Sequence, residues 1–458
     1  MTDLTPPLEV IILAAGKGTR MRSDLPKVLH TLGGKPILSH VLQTAQGLGA
    51  NRIHVVYGHG GDLVPQKIND ASINWVLQEA QNGTGHAVIQ ALPSVADNAT
   101  VLILYGDVPL IQPTTLQSLI AAANNGGLAL LTVTLDDGGA YGRIVRSGDG
   151  TLQKIVEAKD ASTDELALNE VNTGFMAAPA SSLRQWLSRL SSDNAQGEYY
   201  LTDVIAMAVD DGHSVTTQFP DTVIEIEGIN SKIELARMER KHQQQQADAL
   251  MEAGVTLRDP ARFDLRGSLS AGRDVTIDIN VIIEGDVELG DGVRIGANTI
   301  LNNVKIGAGS EVLANCIVED STIGSGCRVG PFARLRPGAV LADNVRVGNF
   351  VEIKNSNVAE GSKINHLSYV GDSDVGSGVN IGAGVITANY DGANKHRTTI
   401  EDGASVGANS VLVAPINVGK GATLGAGTVL RKDAPADELT LGSAQQRTVK
   451  GWKRPTKK

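Results

Sequence analysis

From about residue 265 onward the chain carries an aliphatic residue at every sixth position, most clearly at Ile400, Val406, Leu412, Val418, Leu424 and Leu430 and at Val329, Leu335, Leu341, Val347 and Ile353. A period of six fits neither the 3.6 of an α-helix nor the two of an ordinary strand. It fits a hexapeptide-repeat parallel β-helix, in which three hexads make one triangular coil of about 18 residues and the aliphatic side chain points into the prism. Glycine follows many of these aliphatics, as in Val329-Gly330, Ile381-Gly382, Val406-Gly407 and Leu424-Gly425, and 26 of the 52 glycines fall between residues 265 and 431, where small residues ease each corner. The pattern accounts for about nine coils, a stack of roughly 40–45 Å at the usual strand spacing.

The register breaks between Thr387 and Ile400, where residues 388–397 supply no inward aliphatic at the expected step. An insertion in a solenoid loops out on one face, either as a tolerated surface loop or as part of a binding face. Ahead of the repeats, Ser231 to Ala253 is rich in Glu, Gln, Lys, Ala and Leu and free of Gly and Pro, which predicts one long connecting helix. The glutamines from Gln243 to Gln246 read as a solvated face of it.

The first part follows a different grammar. Short β-branched runs, Val10-Ile11-Ile12-Leu13, His54-Val55-Val56-Tyr57 and Val101-Leu102-Ile103-Leu104, alternate with helix-length segments such as Pro36 to Leu48 and Gln112 to Asn124, which predicts βαβ units around a largely parallel sheet. With 458 residues and 41% hydrophobic content, the chain has enough for several packed cores. Forty Lys and Arg against 50 Asp and Glu leave a net charge of −10, which disfavours a general nucleic-acid surface, so an anionic substrate must be held locally. The opening MTDLTPPLEV has no basic region ahead of a long apolar stretch and no run has the 18 or so apolar residues of a membrane span, so the expectation is a soluble cytoplasmic protein without a membrane or nucleic-acid partner. Cys316 and Cys327 lack CxxC partners and read as small buried or turn residues.

Directly after the first apolar run comes Leu13-Ala14-Ala15-Gly16-Lys17-Gly18-Thr19-Arg20-Met21, whose small residues let backbone N–H groups approach and cradle phosphates. Met21 stands where a dinucleotide fingerprint needs its third glycine, and no GxxxxGK[ST] occurs, so the NAD and P-loop readings both fail. Arg20 and Lys27 flank the turn, either to neutralise a triphosphate or as solvated surface charges. These residues resemble those of the nucleotidyltransferases that make nucleotide sugars. Gln78, Gly83-Thr84, Tyr105-Gly106-Asp107, Tyr141-Gly142-Arg143, Val156-Glu157, Asn172-Thr173-Gly174 and Glu227-Gly228-Ile229-Asn230 follow in the order found in one branch of them. End to end, the chain resembles the bacterial bifunctional N-acetylglucosamine-1-phosphate uridyltransferases and glucosamine-1-phosphate acetyltransferases.

That resemblance implies an α/β protein: a Rossmann-like nucleotidyltransferase domain over residues 1–230, a helical linker over 231–254, a left-handed parallel β-helix of hexapeptide repeats over 255–431 and a basic tail over 432–458. It implies that Leu13, Ala14, Ala15, Gly16, Lys27, Gln78, Gly83, Thr84, Tyr105 and Gly106 hold UTP, that Gly142, Glu157 and Asn172 hold the amino sugar, and that Asp107 and Asn230 ligate Mg²⁺ through oxygen. Arg20 and Lys27 are then catalytic cations.

In the repeats, the same resemblance assigns Arg336, Lys354, Tyr369 and Asn380 to glucosamine 1-phosphate, His366 to the catalytic base, and Ala383, Asn389, Tyr390, Ala408 and Ala426 to acetyl-CoA. A lone His in a β-helix reads otherwise as a surface residue. The family commonly has Ser where this chain has Ala408, and its C-terminal Arg for the coenzyme phosphates is replaced around Ala444, which leaves Arg447, Lys450 or Lys453 to take over that charge or simply to be solvated. The implied product route consumes glucosamine 1-phosphate, acetyl-CoA, N-acetylglucosamine 1-phosphate and UTP, in a homotrimer. Two rivals remain open at this point: a single-function sugar-1-phosphate nucleotidyltransferase with a structural or regulatory β-helix, and a catalytically silent scaffold.

Overall fold

The computed structural model describes residues 6–124, 127–442 and 448–454, which form two compact units, one ending at His242 and the other beginning at Gln243. In the first unit the sheet order is Val215–Gln218, Leu128–Thr134, Glu170–Pro179, Thr100–Tyr105, Leu8–Leu13, Arg52–Tyr57, Ile73–Leu77. All pairings along it are parallel except those of Glu170–Pro179, which runs antiparallel to both neighbours. A hairpin of Arg143–Arg146 and Leu152–Val156 branches from that strand.

The apolar runs form central strands because both sheet faces are covered. Val10 and Ile12 pack on one side with Leu38, Val41 and Leu42 of the helix Ile37–Gly47, while Ile11 and Leu13 pack on the other with Ala87, Val88 and Ala91 of Thr84–Ala91. Leu8–Leu13 lies between Arg52–Tyr57 and Thr100–Tyr105. The chain therefore leaves it first to one side and later to the other. This is a topological switch point, and the crevice beyond the carboxyl ends of Leu8–Leu13 and Thr100–Tyr105 is where open α/β sheets bind ligands.

The second unit is a three-faced parallel coil. One face is an 11-stranded ladder from Thr256–Leu257 to Leu439–Thr440; the other two belong to one 15-stranded sheet whose early strands, such as Phe263–Ala271, bend around a corner and serve both. Successive coils pair at offsets of 18 and 17 residues, as in Phe263↔Val281 and Ile317↔Arg334. All eleven aliphatics of the six-residue period named above are buried, between 0% and 4% exposed. The ladder begins before residue 265 and reaches Thr440, so it is about 48 Å long. The nine-coil estimate was short, and the stretch assigned to a tail supplies the last strand, in register with Thr423 and Leu424. The 388–397 insertion stretches the offset to 25 on all three faces, at Ser373↔Thr398, Asn380↔Ser405 and Ile386↔Val411.

The connecting helix runs Lys232–Glu252. It is not a free-standing linker: Met238 packs into the first unit with Leu32, Ile37, Leu110 and Ile229, and Ala247 packs into the core of the second. The glutamine tract is likewise not all solvated. Gln243 is buried, accepting from Leu265 N at 2.7 Å and donating to Leu265 O at 2.9 Å, while Gln246 donates to the same carbonyl at 3.2 Å. Phe263–Ala271 is an edge strand of the first coil, and these amides pair backbone groups that the coil itself leaves open. Cys316 and Cys327 are buried, as expected. Among the described residues no helix is long and apolar enough to cross a membrane.

Candidate active sites

Beyond Leu13 the chain turns through Gly18, whose φ of +60° suits glycine and whose missing Cβ would otherwise stand 2.8 Å from Lys27 Cβ. The turn thus lies directly on Lys27. The Lys27 ammonium hydrogen-bonds Asp107 Oδ2 and, at 3.0 Å, Asn230 Oδ1. Asp107 arrives from the end of Thr100–Tyr105, and Asn230 is held beside it because Ile229 N donates to Asp107 O at 2.9 Å.

Two cavities meet here. The first, of about 390 Å³, is lined by Leu13, Ala14, Ala15, Gly16, Lys27, Gln78, Gly83, Thr84, Tyr105 and Asp107, together with Lys17, Gln81 and Glu198. The second, of about 420 Å³, is lined by Arg20, Tyr105, Asp107, Gly142, Glu157, Asn172 and Asn230, together with Tyr141 and Glu234. Asp107 and Tyr105 belong to both. Every residue assigned from the sequence to the nucleotide and sugar is therefore in one of these cavities except Gly106, whose N–H donates to Leu13 O at 2.9 Å and ties the two strand ends together.

The walls are positioned by local structure. Gln78, 3% exposed, donates to Gly83 O at 3.2 Å, and Gly83 has φ +106° with no room for a Cβ, which would stand 2.6 Å from Tyr199 O. Asn172 sits where the antiparallel strand shifts register before Met176, a bulge of the kind that re-aims side chains, and its Oδ1 accepts from Gly174 N at 2.9 Å. Burial pushes the Glu157 carboxyl up, with Asp203 and Asp160 adding to the shift and a 2.9 Å hydrogen bond from Thr202 opposing it. Burial also raises the Tyr105 phenol, helped by Glu157 and Asp107.

Asp107 and Asn230 fit a divalent cation. Their two oxygens already converge on one positive charge, that of Lys27, and hard oxygen donors suit Mg²⁺, which takes its remaining ligands from water and phosphate. Among the described residues no cluster of three or more His, Cys, Asp or Glu offers an all-protein metal site.

In the β-helix the ladder converts sequence offset into contact. Lys363 and Ile364 pair with Asn380 and Ile381, so His366 stands one coil below Ala383, and His366 itself pairs with Asn349. Ala383 O accepts from Asn409 N at 2.7 Å and Ala408 O from Gly427 N at 2.8 Å, so Ala383, Ala408 and Ala426 continue the same corner column upward. On the next face Arg336 donates to Glu352 at 2.8 Å, and Glu352 pairs in register with Tyr369. Lys354 lies 3.4 Å from Asp372, which also takes hydrogen bonds from Asn355 and Asn389. Burial works against the Asp372 charge, but those amide donors and Lys354 hold its carboxyl below the ordinary range.

The 388–397 loop folds back as a bridge between Tyr390 and Lys395. Its Lys395 contacts Lys354; that contact, helped by Asp372, holds Lys354 above the usual lysine range, while the Lys354 ammonium holds Lys395 below it against the opposing pull of Asp372. Tyr390 is 62% exposed, whereas Asn389 is buried with its amide 3.4 Å from the Tyr369 hydroxyl. Lys450 and Lys453 are exposed, and the positions Ala444 and Arg447 lie outside the described residues. Sequence reading missed Asn349, Glu352, Asp372 and Lys395. For the first three, the signal was the ladder itself, since each precedes an assigned residue or its neighbour by 17 or follows one by 18.

A nucleotide-sized cavity at a switch point, continuous with a second cavity across a carboxylate, joined in one chain to a hexapeptide coil carrying a basic cluster and a histidine, defines a nucleotidyltransferase coupled to an acyltransferase. Residues 10–199 match the MobA-like NTP transferase domain, residues 266–348 the GMPPB C-terminal domain, and residues 397–432 the hexapeptide repeat of succinyl-transferase. The chain is 60% identical to the bifunctional protein GlmU of Thiobacillus denitrificans over 452 residues, covering 99% of this chain and 98% of that one. It is 58% identical over 450 residues to GlmU of an Azoarcus species (98% and 100%), and 57% identical over 451 residues to that of Aromatoleum aromaticum (98% and 99%). The chain belongs to the bifunctional GlmU family, and it is an enzyme with both a nucleotidyltransferase and a hexapeptide acetyltransferase domain.

Proposed function

We propose that the chain acetylates glucosamine 1-phosphate in the β-helix and uridylylates the product in the first unit. In the first step the sugar amine attacks the thioester carbonyl of acetyl-CoA, the new C–N bond replaces C–S, His366 accepts the amine proton, and CoA leaves as the thiolate that takes up a proton. Arg336 and Lys354 hold the sugar phosphate, with Tyr369 and Asn380 beside it; Ala383, Ala408 and Ala426 leave the corner column open to the coenzyme arm, with Asn389 and Tyr390 at its side.

In the second step the sugar phosphate attacks the α-phosphorus of UTP in line, a P–O bond forms, the bond to the β-phosphate breaks and pyrophosphate leaves. The nucleotide occupies the first cavity and the sugar the second, with Glu157 and Asn172 as sugar contacts. Asp107 and Asn230 would hold Mg²⁺, which would supply neutralisation of the phosphate charge. Arg20 and Lys27 add positive charge where it develops.

The observation that carries this reading is the meeting of the two cavities at Asp107, where donor and acceptor must touch. In this reading the enzyme works in the cytoplasm as a homotrimer. The test supplies glucosamine 1-phosphate, acetyl-CoA, UTP and Mg²⁺ and follows CoA thiol and pyrophosphate separately. Asp107→Ala abolishes pyrophosphate formation and leaves CoA release, while His366→Ala lowers acetyl transfer by about 10²- to 10⁴-fold and leaves uridylylation of ready-made N-acetylglucosamine 1-phosphate intact. Near-normal uridylyl transfer by Asp107→Ala, or an unchanged saturated acetyl rate in His366→Ala, refutes the assignment.

A further inference from the structure

We infer that Asn349 is the positioning residue of the acetyl-transfer site: its amide oxygen takes the Nδ1 hydrogen of His366 and so keeps the lone pair on Nε2, the nitrogen left to receive the substrate's proton. The inference rests on the reading of His366 as the base.

The contact is built into the coil. Asn349 and His366 are paired residues of adjacent strands, Arg346–Asn349 and Lys363–His366, and Asn349 Oδ1 lies 3.0 Å from His366 Nδ1. Paired side chains on one face of a ladder stand about 5 Å apart, so the histidine sits over the amide whatever its rotamer at the ring end. Both strands end at the same step. The next residues, Phe350 and Leu367, have φ of +55° and +50°, a conformation rare for bulky side chains, and Leu367 N donates to Asn349 O at 3.1 Å. Phe350 also stacks on Phe332 of the coil below, with ring centroids 5.3 Å apart and planes 17° from parallel, which fixes the corner from which Asn349 projects.

The column above His366 consists of Ala383, Ala408 and Ala426, whose methyl groups cannot hydrogen-bond an imidazole. A neutral imidazole has one N–H and one lone pair, and which nitrogen holds the hydrogen is set by the partner of the other. With Nδ1 committed to Asn349, Nε2 is the basic atom. The charged groups on the packed strands are Lys363 on the strand of His366 and Arg346 on the strand below; the strand above brings Asn380.

The experiment uses the full-length enzyme with acetyl transfer measured at saturating glucosamine 1-phosphate across pH, and uridylyl transfer as the internal check on folding. Asn349→Leu keeps the volume and loses the acceptor: saturated turnover falls about 10- to 100-fold, the usual effect of losing the partner that orients a functional histidine, and KM changes little. Asn349→Asp keeps an acceptor and adds a charge that favours imidazolium, so it recovers most of the turnover lost in Asn349→Leu, and the acidic limb of its rate profile moves to higher pH. Equal losses in the two variants with no movement of that limb would reduce Asn349 to a packing role and overturn the inference, as would full turnover in Asn349→Leu. His366→Ala run alongside separates the two levels: if it keeps its saturated rate, the reading of His366 fails; if it collapses while both Asn349 variants behave as wild type, only the inference about Asn349 fails.

Discussion

Lys27 occupies the place a divalent cation would take between Asp107 and Asn230, and this makes opposite predictions for binding and for catalysis when it is replaced by Met. Its side chain is 12% exposed and that of Asp107 18%, so the pair is not screened as a surface ion pair would be. Any cation that binds Asp107 and Asn230 must first detach the ammonium from both. A hydrogen bond to a charged group contributes about 1.5–3 kcal/mol and one to a neutral amide about 0.5–1.5 kcal/mol, part of which the lysine recovers in water. A net competition of about 2–3 kcal/mol corresponds to roughly 30- to 150-fold in affinity. Titration calorimetry of Mg²⁺ into the nucleotide-free Lys27→Met protein should therefore show tighter binding by that factor. Pyrophosphate formation by the same variant should fall about 10²- to 10³-fold, because a cation that stabilises developing phosphate charge is gone. Unchanged or weaker Mg²⁺ binding in Lys27→Met would refute the argument that lysine and metal compete for the same two oxygens.

Two further outcomes follow from the geometry and a third from the proposed function. Gln243→Leu leaves Leu265 N without its acceptor and removes one of two donors from Leu265 O, a loss of about 2–4 kcal/mol, which should lower the melting midpoint of the β-helix by roughly 5–15 °C; an unchanged midpoint together with unchanged amide-exchange protection at Leu265 would show that the helix does not seal the first coil. Glu157 has its carboxyl raised by burial, so it binds its proton more tightly folded than unfolded and costs stability when ionised. Glu157→Gln should raise the melting midpoint at pH 7, the gain fading as pH falls through the raised folded range, and in the wild type the KM for the sugar phosphate should climb on acidification from a higher pH than an ordinary glutamate allows; a flat KM down to pH 4.5 would contradict this. Light scattering should give about three times 47.9 kDa, and a monomer with full acetyl transfer would remove the trimeric reading.

The two units differ in how much of each could be read before folding, and the reason is topological. In the coil, spatial neighbours are 17 or 18 residues apart away from the insertion and the first and last strands, so the period that placed Val329 to Ile353 and Ile400 to Leu430 in the core also narrows which polar residues share a corner. Asn349 under His366 and Glu352 beside Tyr369 follow only once a slip is counted: the step from Ile353 to Val358 is one residue short of six, so those coils pair at 17 rather than 18. What the offset cannot supply is the behaviour of an insertion, and so the return of Lys395 onto Lys354 was not legible. The ends of the coil escape it too: Gln243 reads as solvated until a strand edge is seen to need its amide, and Leu439–Thr440 reads as tail because the glycines of the repeat have given out. In the first unit no such rule exists. Lys27, Asp107 and Asn230 lie 80 and 123 residues apart and meet only because a switch in strand order brings two loop ends together and a glycine at Gly18 lets a turn lie on Lys27. The family resemblance implied a cation at Asp107 and Asn230, but that lysine and metal would share one pair of oxygens is a property of the crossing connections, which is why the competition between them is the more demanding test of the structure.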